Sequence, residues 1–217
     1  GAGLHVNSSS PTISNLIIEN CYGNGDIDGG GGRFYNSNST IKNCIFKNNS
    51  GRKGGALAIS LNQISIENCT FIQNTGREIG SVLCSTDGYT EVSFKNCLMY
   101  ENNGGTTIQG HSNTIRLINC SIINNTSNSD KITDFHGSAS DVYIINSILH
   151  NPQEIELYAR DWGTTNVSYS LLEGGLNGVS TFNGGAVSII DTVIDANPLF
   201  VDPENGNYHL ADWSPCI

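Results

Sequence analysis

The chain has 217 residues, of which 14% are charged, and its 20 Asp and Glu outnumber 10 Lys and Arg to give a formal net charge of −10. A chain this acidic has no basic field with which to hold nucleic acid or an anionic membrane. No apolar run reaches membrane-spanning length, and a surface rich in Asn, Ser, Thr and Gly suits a polysaccharide or cell-surface glycan as partner.

From the amino terminus the chain falls into similar units. The first starts at Gly1-Ala2-Gly3-Leu4, carries Leu16 and Ile18, and reaches the pair Asn20/Cys21. A Gly-rich insertion follows, in which Asp26-Ile27-Asp28-Gly29 resembles half a calcium loop, so that Asp26 and Asp28 are candidate Ca²⁺ ligands. The Asn–Cys pair then returns at Asn43/Cys44, Asn68/Cys69, Asn96/Cys97 and Asn119/Cys120. The cysteines are spaced 23, 25, 28 and 23 residues apart, and Asn146/Ser147 comes 27 later. Apolar residues precede most of these asparagines by four and two positions (Leu16/Ile18, Ile64/Ile66, Val92/Phe94, Ile115/Leu117), and another follows most of them by three (Phe46, Phe71, Met99).

Such self-similarity defines a solenoid, whose units bury a core only by stacking on one another. Within a unit, apolar and polar residues alternate, as in Gln63-Ile64-Ser65-Ile66-Glu67, which predicts strands with one buried face. No stretch has helical spacing. Three short strands and three turns fit into about 25 residues, so each unit is one coil of an all-β parallel β-helix of about eight coils, roughly 40 Å tall. Asparagines stacked at a turn bond to their equivalents above and below and tolerate left-handed backbone. Cys21, Cys44, Cys69, Cys97 and Cys120 are expected to point inward as small apolar fillers in one column, too far apart along the axis for disulfides. Cys84 and Cys216 fall outside that column. A second turn column runs through Asn48-Asn49, Asn74, Asn102-Asn103 and Asn124-Asn125, and the glycines before the strand starts, such as Gly54-Gly55, are expected to supply positive φ.

Aligning the strand starts on Leu4, Phe34, Leu57, Leu83, Ile108, Phe135 and Leu157 as inward residues makes their neighbours outward. The outward pairs then include Arg33/Tyr35, Asp134/His136 and Glu156/Tyr158. In this alignment Asp134 and Glu156 share a column about 5 Å apart, where two carboxylates either share a proton or bind a cation such as Ca²⁺. His136 and Tyr158 would be the acid or base beside them. Arg160 and Trp162 in the adjoining turn, with Arg33 and Tyr35 toward the other end, are candidate ligand contacts. The simpler alternative is a solvated strand face.

The Gly-Gly-Ala-Leu strand start (54 to 57), the Asn-Cys-Thr-Phe core (68 to 71) and the Asn-Asn turn resemble the repeats of right-handed parallel β-helix proteins of bacterial surfaces. Polymorphic outer-membrane-protein and autotransporter-passenger repeats, within the pectate-lyase-like superfamily, are the most similar. The resemblance implies a secreted or cell-surface module with a binding, adhesive or structural role. The alternative it implies is a polysaccharide lyase or glycoside hydrolase acting on an outward sheet face. Gly110-His111-Ser112 and Arg116-Leu117-Ile118 echo polygalacturonase motifs without the paired aspartates that accompany them. The tail from Asn197 to Ile217 resembles the segment that closes many secreted bacterial β-helix domains. With no cap before the first coil, the chain reads as one domain belonging to a longer polypeptide with flanking domains.

Overall fold

The computed structural model describes residues 3–85, 89–137, 140–152 and 154–217. Three parallel sheets of eight strands run along the axis, so the chain winds through eight coils as the repeat predicted. The first sheet runs from Leu4–Asn7 to Val179–Phe182, the second from Thr12–Ser14 to Ala186–Ile189, and the third from Ile17–Glu19 to Val193–Ile194. A four-stranded fourth sheet from Ser50–Lys53 to Thr126–Ser127 widens the middle coils. The start Gly1-Ala2 lies outside the described residues.

The interior is a continuous stack of apolar side chains. Phe34, Phe46, Phe71, Phe94, Met99 and Phe135 are fully buried, and Phe46 lies flat on Phe71 at 5.1 Å between ring centroids. Positive φ is required at Gly54 and Gly80, where a Cβ would come within 2.2 and 2.3 Å of the Leu57 and Leu83 carbonyl oxygens. The glycines therefore close the turn that leads into the first sheet.

The turn between the second and third sheets is an exposed asparagine ladder with left-handed backbone: Asn15, Asn43, Asn68, Asn96, Asn119 and Asn146. Each Nδ2 donates to the Oδ1 of the coil before it, at 2.8 to 3.3 Å. Asn20 is not a member, which corrects the expected alignment by five residues. It stacks beneath Asn48 at the next turn, with Ile17 and Ile18 beside Ile45 and Phe46. The first coil therefore presents Leu16 where the second to fifth present cysteine. The pair Asn20/Cys21 mimics Asn43/Cys44 locally because both turns of a coil use the same device, an outward left-handed residue followed by an inward one.

The cysteine column therefore contains Cys44, Cys69, Cys97 and Cys120, all free and buried, and continues through Ser147 and Ser170. Its members are not simply apolar fillers. Cys69 Sγ lies 3.3 Å from the Glu67 carbonyl and accepts from Cys44 N at 3.4 Å. Ser147 Oγ repeats both bonds, to Ile145 O at 2.9 Å and from Cys120 N at 3.1 Å. Burial pushes the Cys69 thiol up to about 12, although the Cys44 amide works against the shift.

At the next turn a second ladder runs inside the rod through Asn49, Asn74, Asn102, Asn125 and Asn151, all fully or almost fully buried. Each Oδ1 accepts both the backbone N–H and the Nδ2–H of the preceding member, as Asn102 does from Asn74 at 2.9 and 3.0 Å. Each Nδ2 also donates to a core-strand carbonyl, Asn102 to Phe71 O at 2.9 Å. Cys21 heads this column, its amide donating to Asn49 Oδ1 at 3.1 Å. The side-chain amides of this ladder, taken from water, are thus each returned partners.

After the last coil, Phe200–Asp202 and Asn207–Leu210 form an antiparallel pair. This hairpin lies along the flank of the third sheet, with Tyr208 against Tyr100 at 5.0 Å, Phe200 6.5 Å from His150, and the Tyr208 hydroxyl accepting from Asn124.

Candidate functional site

The strand register of the first sheet decides which candidate side chains meet. Gln109, Asp134, Tyr158 and Ser180 share one outward column, and His111, His136, Arg160 and Phe182 share the next. Asp134 is therefore level with Tyr158, and Glu156 falls two residues earlier, level with Ile132 inside the rod. The expected Asp134/Glu156 carboxylate pair does not form. The alignment on bulky residues failed because the core compensates size between coils. Phe135 sits between Gly110 and Ala159, and Phe34 is level with Ile59 while Gly32 faces Leu57.

Asp134 faces outward into a network of charges. Arg160 grips it with two bonds, Nε to Oδ1 at 2.9 Å and Nη2 to Oδ2 at 3.1 Å, while its Nη1 holds Asp161 at 2.7 Å. His136 Nδ1 lies 3.6 Å from Asp134, and the His136 ring stacks on His111 at 4.6 Å. Burial pushes the Asp134 carboxyl up, but His136 and Arg160 together outweigh it and hold the group below the usual carboxylate range. Arg160 in turn is raised, first by its bond to Asp134. A carboxylate held ionised by a bidentate guanidinium is poorly suited to trading a proton with a substrate. Tyr158 is occupied as well, with the Lys131 ammonium 4.7 Å from its ring centre.

Glu156 is fully buried. It ends the inner asparagine ladder, because the register of the seventh coil places Gly174 level with Asn151 and glycine has no side-chain amide to offer. The carboxylate reaches in instead: Oε1 accepts from Asn151 N at 2.6 Å and Oε2 from Asn151 Nδ2 at 2.8 Å. Burial drives its pKa up to about 8; the Asn151 bonds oppose this, and the nearby Glu173 and Glu154 add to it. Its place is that of a structural cap within the wall.

The remaining candidates lie elsewhere. Asp28 is gripped by Arg52 at 3.0 and 3.2 Å, and Asp26 lies 3.6 Å from the same guanidinium, so an internal cation stands where Ca²⁺ was expected. Among the described residues no cluster of three or more His, Cys, Asp or Glu side chains is arranged to hold a metal. Arg33 and Tyr35 do lie on the first sheet's outward face, five coils from Arg160. His111 and Arg116, the two halves of the polygalacturonase echo, belong to different sheets, and Arg116 pairs with Glu91 and Tyr143.

Trp162 stands at the rim of the Asp134 network with left-handed backbone. It is 66% exposed, and its ring rests on Gly184 of the next coil, where a Cβ would approach it to 2.7 Å. Phe182, 62% exposed, extends the His136–Arg160 column by one coil. Asn183 donates to Asp161 at 2.7 Å. The sequence alignment missed Phe182 and Asn183 because the eighth coil lacks the Asn–Cys signature; the alternation Val179-Ser180-Thr181-Phe182 is the one signal that marks it.

A rod of stacked parallel strands with a polar and aromatic outward face defines a β-solenoid repeat protein. Residues 1–137 match the family model described as the right handed beta helix region, and the chain belongs to that family. It matches none of the curated proteins with which it was compared.

Proposed function

We propose that this chain is a module of a secreted or bacterial cell-surface protein, and that it binds carbohydrate on the outward face of the last three coils of the first sheet. The observation that carries this reading is the exposure of Trp162 and Phe182 beside charges already satisfied by one another. Two open aromatic faces stack on the C–H faces of sugar rings, while His111, Asn183 and the Arg160 network bond hydroxyl groups at the rim. The columns run parallel to the axis, so an elongated polysaccharide is the natural ligand. The lyase or hydrolase reading is weaker because, among the described residues, no free pair of carboxyl groups flanks a common point on this face.

A glycan panel titrated against the wild type and Trp162→Ala tests the proposal. Binding weakened about tenfold or more by the substitution, with unchanged thermal stability, is the expected result. New absorbance from unsaturated product ends would replace the binding reading with a lyase, and no binding to any glycan would remove it.

A further inference from the structure

A second feature of the same sheet lies at its amino-terminal end. The outward columns become small in the third and fourth coils, at Ala58, Ser60 and Cys84, while the second coil presents Arg33 and Tyr35. The result is a depression of about 110 Å³, rimmed by Arg33, Tyr35, Lys53 and Asp28 and floored by Ala58, Ser60 and Cys84. Arg33 and Lys53 make no ion pair or side-chain hydrogen bond among the described residues. Asp28 does not neutralise them, because both its oxygens are taken by Arg52. Two cations with no partner among the described residues thus face one small hollow on a protein of net charge −10.

Size and charge together select the ligand group. At about 30 Å³ per water, the hollow holds three or four waters and is too small for a sugar ring. A single oxyanion fits, bonded by the Arg33 fork, the Lys53 ammonium and the Tyr35 and Ser60 hydroxyls. We infer that this hollow is an anion subsite for a carboxylate or sulfate substituent of a glycan lying along the first sheet, an assignment that rests on the carbohydrate-binding reading above. The hollow is about 20 Å from the Trp162 platform at the spacing of stacked strands, so one oligosaccharide can engage both.

Calorimetric titrations with three oligosaccharides of equal length and the same backbone, one neutral, one carboxylated and one sulfated, test the subsite and tell the two anions apart. At least one charged form should bind about tenfold or more tightly than the neutral one. The Arg33→Gln, Lys53→Gln double variant should lose that advantage while keeping neutral-glycan binding and its unfolding temperature; Trp162→Ala should weaken all forms alike. Inorganic sulfate, which has no ring to stack, should shift the Arg33 and Ser60 amide resonances in the wild type and in Trp162→Ala, but not in the double variant. Equal binding of neutral and charged forms, an advantage that survives the double variant, or no response to either charged form overturns the subsite. Neutral binding that depends on Trp162 would still leave the platform standing.

Discussion

Asp134 and Glu156 belong to successive coils and to the same sheet edge, yet they live in opposite environments. Asp134 points out, where Arg160 and His136 keep it ionised; Glu156 points in, where burial drives its pKa up to about 8. Two positions of register separate the two outcomes. In a parallel solenoid the column fixes the environment of a side chain, because each column is uniformly inside or outside along the rod. The outward face of the late coils is accordingly a binding surface whose charges are mutually satisfied. The inner turn column is a load of backbone and amide hydrogen bonds that has to be terminated.

The comparison breaks most visibly if the inner ladder is interrupted. Asn102→Ala would leave the Asn74 N–H and one Nδ2–H of Asn74 without their acceptor and take one donor each from the Phe71 carbonyl and Asn125 Oδ1, and is expected to cost about 3–5 kcal/mol in urea unfolding. A loss under 1 kcal/mol would mean that the ladder is ornamental. On the outside, Arg160→Met strips the half-buried Asp134 of its main partner. Because solvent can reach that site, the expected cost is smaller, about 1–2 kcal/mol, with the Asp134 carboxyl titrating higher by NMR. An unmoved Asp134 titration would show that His136 alone sustains it. Least disruptive should be Cys69→Ser, at under about 1 kcal/mol, since Ser147 and Ser170 already make the same two bonds lower in that column. A cost above about 3 kcal/mol would restore the view of these thiols as purely apolar filler.

The fold was legible in the sequence because alternation, period and the asparagine turns all depend on local residues. Which coil each residue joins was less so. Asn20/Cys21 copies the chemistry of Asn43/Cys44 one turn too late, and only the pairing of Ile18 with Phe46 exposes the copy. The candidate site suffered from the same limit: Phe135 was matched to Leu157 by bulk, although packing had balanced it against Gly110 and Ala159. The inner Asn column was visible as a turn, but its inward direction depends on which residue of the Asn48-Asn49 pair takes left-handed backbone. That is Asn48.

The most direct test of the inside–outside contrast is the pH dependence of unfolding in the wild type and in Glu156→Gln. A carboxyl raised from its ordinary value near 4.5 to about 8 binds more protons folded than unfolded. Its contribution to stability is therefore complete below pH 4.5 and declines as pH rises to about 8. Relative to Glu156→Gln, the wild type should lose on the order of a few kcal/mol between pH 5 and 8.5, from a shift worth about 1.4 kcal/mol per pH unit. Parallel stability profiles for the two proteins would contradict the buried, ladder-capping Glu156.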